Sequence, residues 1–275
     1  MTTLKEELKG KISDKELELV KKGFDVIGDV AVLEIPDALK KKEKVIAEAV
    51  MRLYPCVKVA AKKIGATSGV ERIRKVKVIL GERRTETLYI ENGCRYKLDI
   101  NKVYFSPRLG SEHLRVAEQV KPKETVYDLF CGVGPYVIPC AKRGAKVFAV
   151  DINKDAIKYL AENVKLNKVM DKVDFAAGDC RKVAMKKEHR GKADRVIMNH
   201  PSGADKFLDV AFYVAKKGAV IHFYCFLKED EFDAGIKLIQ AAAKKAKRKI
   251  RILNTKKCGQ WGPRIWRCAI EFKAN

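Results

Sequence analysis

The segment Asp128-Leu-Phe-Cys-Gly132-Val-Gly134 joins a stretch typical of a strand to a stretch typical of a helix. Glycine lets the backbone turn tightly and lets a ligand approach it closely. Asp151 follows about twenty residues later, at the end of the next apolar stretch, where a carboxylate can accept hydrogen bonds from both hydroxyls of a ribose. Because ligands of parallel α/β sheets lie beyond the carboxyl ends of the strands, this spacing predicts a nucleotide-like ligand there.

Two ligands suit such a loop, a dinucleotide and S-adenosylmethionine. The dinucleotide fingerprint is G-x-G-x-x-G, whereas this loop reads G-V-G-P-Y-V and lacks the third glycine. Asp128 would repel a pyrophosphate, but it suits the positively charged methionine end of S-adenosylmethionine. Together with Asp179 at the end of a third strand-like stretch, these residues favour the methyl donor, and a glycine turn that binds nothing is the alternative.

A second polar segment, Asn199-His200-Pro201, ends the fourth strand-like stretch. Proline holds the backbone in a fixed geometry and removes a donor, so the amide of Asn199 can be aimed at a planar ring nitrogen or an exocyclic group. The pattern is typical of transferases that act on amino groups or ring nitrogens. A plain strand-to-loop stop signal is the alternative, and His200 is a weaker candidate for a catalytic base.

Charge and composition narrow the class of protein. Lysine and arginine number 58 against 35 aspartates and glutamates in 275 residues, a formal net charge of +23. This surplus indicates a polyanion partner, nucleic acid before membrane lipid, or a lysine-rich surface of the kind found in heat-adapted proteins. No apolar run could span a bilayer and no signal peptide is visible, so we expect a cytoplasmic protein. The eight cysteines form no C-x-x-C pair and predict buried free thiols, without a metal site.

Strand-like and helix-like stretches alternate from about residue 104 onward, which predicts a doubly wound parallel sheet with an antiparallel edge made by the last two strands. We therefore expect an α/β protein with a Rossmann-like class I methyltransferase domain at residues 100–275. Residues 1–99 predict a small α/β domain for RNA recognition. Its expected elements are a helix over about 37–52, strands at Val30–Ile35, Val57–Ala60, Val76–Leu80 and Thr87–Ile90, and a turn at Asn92-Gly93.

From about Gly28 to the C-terminus the chain resembles the archaeal and eukaryotic-type tRNA (guanine-37-N1)-methyltransferase family. The matching stretches cover most of the sequence: GDVAVL, ERIRKVKVILGE, the T-x-T-x-x-x-E-N-G segment from Thr85 to Gly93, VYFSPRLGSEHLRVA, YDLFCGVGPY, VDINKDAIKYLAENVKLNKV, RVIMNHPSGADKFLD and AVIHFYCF. The resemblance implies methylation of guanosine 37 next to the anticodon, with S-adenosylmethionine as donor and the anticodon arm of tRNA as partner. We expect neither a metal nor a membrane partner, and a monomer.

The resemblance also implies roles for single residues. Glu112 matches the general base that takes the proton from guanine N1, which is a poor nucleophile until that proton is lost. Arg72, or Arg74 if the register is off by two, matches the arginine that stabilises negative charge on guanine O6. Asn199, with Pro201 behind it, matches the residue that positions the base. The implied donor contacts are Tyr104, Arg108, Phe130, Gly132, Gly134, Asp151, Ile152, Asp179 and Asn199.

A sister family, the wybutosine-synthesising aminocarboxypropyl transferases, shares the scaffold and the donor. Arg108-Leu109 and the pair Asn199 and Pro201 favour methyl transfer, because the sister family usually lacks these features. The chain departs from the methyltransferase pattern at His113, often arginine, and at His200, usually leucine. We also expect no room for the extra N-terminal module that grips the outer corner of tRNA in many relatives. Some relatives methylate a tricyclic wybutosine precursor, and the residues leave that activity open.

Overall fold

A computed structural model of the chain describes residues 2–21, 23–65, 73, 75–228 and 231–275. They cluster into two compact units, Met1–Pro107 and Arg108–Asn275. The boundary expected after residue 99 lies inside the first unit, because the ring of Phe105 packs there at 5.0 Å from Tyr89 and 6.0 Å from Tyr96. The assignment of RNA recognition to this unit stays a prediction.

The first unit contains helices, a sheet and a separate hairpin. Its elements are α1 Leu4–Leu8, α2 Asp14–Leu19, β1 Asp25–Ile27, β2 Val30–Leu33, a 3-10 helix Asp37–Lys42, α3 Glu43–Leu53, β3 Val59–Lys63, β4 Val76–Gly81, β5 Glu86–Glu91 and β6 Cys94–Asp99. Among the described residues, β1 to β4 form one sheet in that order, and β5 pairs with β6.

Local turns explain two boundaries in this unit. The β5–β6 hairpin turns at Asn92-Gly93, where both residues have positive φ angles of 49° and 69°. A two-residue hairpin turn favours this pair of residues, so the turn expected from the sequence is confirmed. Strand β3 begins two residues later than expected, because the amide of Val57 closes a turn onto the carbonyl of Tyr54 at 2.9 Å.

The second unit is built on one large sheet. Its elements are α4 Gly110–Glu118, β7 Thr125–Asp128, α5 Val137–Lys142, β8 Lys146–Asp151, α6 Lys154–Leu166, β9 Val173–Ala177, α7 Cys180–Ala184, β10 Ala193–Met198, α8 Leu208–Val214, β11 Ala215–Lys228, α9 Phe232–Lys245, β12 Ile250–Gly262 and β13 Ile265–Ala274, with short 3-10 helices Pro107–Leu109, Met170–Lys172, Lys187–His189 and Ala204–Phe207. In the part of the chain that is described, the strand order is β12-β13-β11-β10-β7-β8-β9. The pairs from β11 to β9 are parallel, and β13 and β12 are antiparallel, as predicted.

One face of this sheet is apolar at its centre. Val196 on β10 and Ile221 and Phe223 on β11 are fully buried, which is typical of parallel strands covered by helices. Helix α6 is capped by Asn153, whose side chain accepts hydrogen bonds from the amides of Asp155 and Ala156. This cap fixes the chain directly after Asp151. Within the described residues, no helix has the length and apolar character needed to cross a membrane.

Candidate active site in the second unit

The carboxyl ends of β7 and β8 bring the glycine loop and Asp151 together. The amide of Gly132 donates to Oδ2 of Asp151 at 2.8 Å, and the amide of Asn153 donates to Oδ1 at 2.9 Å. A carboxylate at this position, beyond the end of a parallel strand, is suited to the hydroxyls of a ribose. The spacing seen in the sequence therefore corresponds to direct contact between the loop and the carboxylate.

The two loop glycines are required by geometry. Gly132 and Gly134 have φ angles of 53° and 96°, a region that side chains other than glycine rarely adopt. A Cβ on Gly134 would lie 2.6 Å from Cδ1 of Leu160 on α6. The loop therefore fits closely against α6.

Asp128 is a fully buried carboxyl group at the start of this loop. Its Oδ1 accepts from the amide of Phe130 at 3.2 Å, while its Oδ2 has no hydrogen-bond partner among the described residues. Burial raises the pKa of Asp128 to about 8, and the nearby charge of Asp151 adds to this effect. A cationic ligand near this group would favour its ionised form, so the site fits the positively charged end of S-adenosylmethionine better than a pyrophosphate.

The other residues expected to contact the donor differ in exposure and in position. Ile152 is 47% exposed directly after Asp151, and Asp179 caps α7 by accepting from the amide of Arg181 at 2.8 Å. Phe130 is half-buried beside the loop. Arg108 is exposed at the start of the second unit, and Tyr104 belongs to the first. Arg72 and Arg74 lie outside the described residues, so their roles stay predictions.

The segment after β10 holds an unsatisfied acceptor. Oδ1 of Asn199 is buried and has no hydrogen-bond partner within the described part of the chain. His200 stacks on the ring of Phe130 at 5.0 Å and 27°, and a Cβ on Gly203 would lie 3.2 Å from its Nε2. Pro201 is buried. Because a buried polar atom without a partner is costly, Asn199 is the residue here that a ligand would stabilise.

Glu112 on α4 is almost completely buried, at 2% exposure. Its Oε1 accepts from the Tyr224 hydroxyl and from Nη2 of Arg115, both at 2.6 Å. Its Oε2 accepts from Nε of Arg115 at 2.8 Å and lies 3.7 Å from Nζ of Lys256. A carboxylate offers about four lone-pair positions, so Oε2 retains the capacity for one more donor.

Opposing effects act on the protonation of Glu112. Burial would raise the pKa of this carboxyl, but the hydrogen bonds from Arg115 and Tyr224 outweigh it and the pKa is lowered. Glu112 is therefore ionised at neutral pH and able to accept a proton. Two aromatic contacts connect its surroundings to the start of α5, just after the glycine loop, since the ring of Tyr136 lies 5.9 Å from Tyr224 and 4.7 Å from His113.

Sequence reasoning missed the partners of Glu112. Arg115 also contacts Glu271, with Nη1 and Oε1 2.5 Å apart. The spacing of Glu112 and Arg115, three residues apart on a helix, is a local signal for this ion pair. Tyr224 gave no signal, because it lies 112 residues away inside an apolar strand. Among the described residues, no group of three or more His, Cys, Asp or Glu side chains could hold a metal.

Comparison with known proteins identifies the family of the chain. The model of the TRM5/TYW2 methyltransferase domain matches residues 87–253, and that of the TYW2 N-terminal domain matches residues 4–85. The tRNA (guanine(37)-N(1))-methyltransferase Trm5b of Pyrococcus abyssi is 42% identical over 92% of this chain and 74% of its own length. Its crystal structure matches with a TM-score of 0.87 and 41% identity, over 96% of this chain and 78% of that one.

Two further relatives belong to wybutosine synthesis or the TYW2 branch. The tRNA 4-demethylwyosine(37)-methyltransferase Taw21 of Saccharolobus solfataricus is 34% identical over 92% of this chain and 94% of its own length. The structure of Methanocaldococcus jannaschii TYW2 in complex with AdoMet has a TM-score of 0.70 and 28% identity, covering 92% of this chain and 100% of that one. On the matched domain and the Trm5b relative together, the chain belongs to the TRM5/TYW2 methyltransferase family.

Proposed function

We propose that the chain transfers the methyl group of S-adenosylmethionine to N1 of guanosine 37 in tRNA. The observation that carries the proposal is the buried, ionised Glu112 carboxylate, held by the Tyr224 hydroxyl. The ring of Tyr224 lies 5.9 Å from that of Tyr136, two residues after the glycine loop. The Trm5b relative, named for this reaction, supports the choice of substrate and atom. A monomeric state and a cytoplasmic location stay predictions.

Different residues of the chain are suited to different parts of the donor. Asp151, held by the amide of Gly132, is suited to the ribose hydroxyls. Asp128 lies where a cationic amino-acid end would favour its ionised form. The bound donor supplies a methyl group on a sulfonium, which becomes a neutral thioether when guanine N1 attacks.

Oε2 of Glu112 is the atom that takes the proton from N1, because Oε1 is filled by Tyr224 and Arg115. Lys256 lies at Oε2 and its side chain is 43% exposed, so we expect it to turn outward when the base enters. General-base assistance of this kind contributes roughly 10² to 10⁴ in rate. The negative charge left on O6 would be met by Arg72, as the family resemblance implies.

Asn199 completes the recognition of the base. Its buried Oδ1 needs a donor, and the 2-amino group of guanine offers one. A purine without this group would leave the acceptor unsatisfied, a penalty of about 1–3 kcal/mol. The target base must leave the stacked anticodon loop to reach the pocket.

The test is the identity of the modified nucleoside. Unmodified tRNA transcripts with guanosine or adenosine at position 37 are incubated with donor labelled separately in the methyl group and in the methionine backbone. We expect only the methyl label, only with guanosine, and 1-methylguanosine after digestion. Incorporation of the backbone label would mean aminocarboxypropyl transfer and would overturn the proposal.

A second candidate is methylation of a tricyclic wybutosine precursor at position 37. The match to Taw21 over nearly the whole length of both chains favours it. The two activities are separated by offering tRNA that carries 4-demethylwyosine beside tRNA that carries guanosine. Methylation of the precursor alone would replace the first candidate, and methylation of both would make the enzyme bifunctional.

A further inference from the structure

The β12–β13 hairpin lies directly beside Glu112, the proposed general base. It forms an edge of the second unit's sheet, with β12 outermost. Lys256 on β12 places its Nζ 3.7 Å from Oε2 of Glu112. Burial, and then the charge of Glu112, raise the pKa of the Cys258 thiol to about 12, so this residue also faces the carboxylate. The hairpin therefore lies against the carboxylate oxygen that is proposed to take the proton.

Most of the hairpin sequence contains basic residues and no acidic ones. Between residues 250 and 270 there is no aspartate or glutamate, and the basic residues are Arg251, Lys256, Lys257, Arg264 and Arg267. Arg264 is exposed at the turn between the strands. A surface of one charge sign attracts a polyanion and makes the association sensitive to salt.

Aromatic rings are interleaved with these cations. The indole of Trp261 is 42% exposed, although its ring packs 4.7 Å from Phe226 at 33°. The Arg267 guanidinium lies 5.8 Å from the centre of the Phe226 ring, and the Lys257 ammonium lies 5.2 Å from that of Trp266. Basic grooves with exposed rings are the usual means of binding unpaired nucleotides, because every base has a face that can stack.

We propose that the β12–β13 hairpin is a docking surface for the unpaired RNA nucleotides that flank the target base, with Trp261 stacking on one base and Arg264 meeting a phosphate. The inference rests on the proposed function and extends it. Drawing a base out of its stack removes a stacking partner from each neighbour. The exposed indole of Trp261 on this hairpin would replace one of those partners. The charge of the hairpin favours RNA over a second copy of this basic chain as the occupant.

The first experiment measures binding of an anticodon stem-loop RNA to the full chain at fixed salt. We expect Trp261→Ala to raise Kd about tenfold, equivalent to about 1.4 kcal/mol, and Trp261→Phe to recover most of the affinity. The matched control is Phe175→Ala, an aromatic residue 36% exposed on β9 at the opposite edge of the sheet. It should bind the RNA as the unaltered chain does, and donor affinity should be the same in all variants.

The second experiment uses Arg264→Gln, a substitution at an exposed residue. It tests the docking surface even if the Trp261→Ala variant does not fold. Loss of one contact to a single-stranded phosphate should reduce the slope of log Kd against log salt by about 0.7. Unchanged affinity and slope in both variants would overturn the docking surface. So would a change in sedimentation of Trp261→Ala at unchanged RNA affinity, which would indicate a protein contact instead.

The outcome also separates this inference from the function on which it rests. If the unaltered chain binds the stem-loop but transfers no methyl group to any tRNA, the proposed function fails while the weaker binding of the hairpin variants still supports the surface. If the chain methylates guanosine 37 and the hairpin variants bind and react normally, the surface fails alone.

Discussion

The two oxygens of Glu112 have different surroundings, and this difference assigns them different tasks. Oε1 is held by the Tyr224 hydroxyl and Arg115, whereas Oε2 accepts one hydrogen bond from Arg115 and lies 3.7 Å from Nζ of Lys256. A hydrogen bond to an ionised group stabilises the charge and makes the group a weaker base, but it also fixes the group's orientation. Tyr224 is therefore a positioning residue.

Replacing Tyr224 with phenylalanine tests that role through a pH profile. The tyrosine hydroxyl contributes to the lowered pKa of Glu112, so its removal should raise that pKa and move the acidic limb of kcat to higher pH. We also expect kcat to fall by about tenfold, since one hydrogen bond to a charged group contributes about 1.5 kcal/mol. Tyr127→Phe is the matched control, because the Tyr127 hydroxyl contacts His189 rather than Glu112. An unshifted acidic limb in Tyr224→Phe would contradict the positioning role.

Asp128 leads to a prediction about donor binding. Because burial raises its pKa to about 8, it is mostly protonated at pH 7, whereas a cationic ligand favours the carboxylate. Affinity for S-adenosylmethionine should therefore rise with pH up to about 8, approaching tenfold per unit, and binding should release a proton. Calorimetry in buffers of different ionisation enthalpy measures both effects. Asp128→Asn should abolish the pH dependence, and a flat profile in the unaltered chain would contradict this account.

At the scale of elements, a buried polar chain ties α4 to the middle of the sheet. Glu271 on β13 accepts from Nδ1 of the fully buried His222 on β11 at 2.9 Å. Nη1 of Arg195 on β10 donates to Nε2 of the same ring at 2.7 Å. This arrangement requires a neutral imidazole with its proton on Nδ1. The network therefore connects three strands to the helix that carries Glu112.

The pH dependence of stability tests this network. Burial lowers the pKa of His222 below its usual 6.5, so the unfolded chain binds more protons than the folded one as pH falls below about 6.5. Unfolding free energy should drop there by up to about 1.4 kcal/mol per pH unit from this group. The corresponding loss from Glu271, whose pKa is lowered to about 2, comes at lower pH. The His222→Gln variant should have a lower unfolding free energy at pH 7, but that free energy should change less between pH 7 and pH 5 than in the unaltered chain. Thermal unfolding measures both, and an equal pH dependence in the two proteins would contradict the prediction.

Local patterns in the sequence predict the donor loop, but they do not predict contacts between residues that are far apart in the chain. The glycines and Asp151 are recognisable because loop geometry and strand ends impose residue types at fixed spacing. The network around Glu112 joins residues from four separate elements, and a tyrosine within an apolar strand has the same pattern whether or not its hydroxyl has a task. The packing of Phe105 on Tyr89 and Tyr96, which belongs to the first unit, is likewise not visible in sequence periodicity.

For the whole molecule, the net charge of +23 predicts how binding responds to salt. If six to ten phosphates are neutralised, affinity for tRNA should fall by about 10³ to 10⁵ between 50 and 200 mM salt. Affinity for S-adenosylmethionine, measured under the same conditions, should change little, because its site is formed mainly by buried groups and backbone amides. A tRNA affinity that does not depend on salt would indicate that the charge serves another purpose.

The most direct test of the account is the single-turnover rate of methyl transfer to guanosine 37 by Glu112→Gln. Glutamine keeps the size and an acceptor oxygen but cannot take the proton, so the rate should fall by roughly 10² to 10⁴ while tRNA and donor affinities remain similar. Glu118→Gln, an exposed residue on the same helix, is the control and should react normally. A Glu112→Gln protein that methylates guanosine 37 at the original rate would contradict the central claim that this carboxylate is the base.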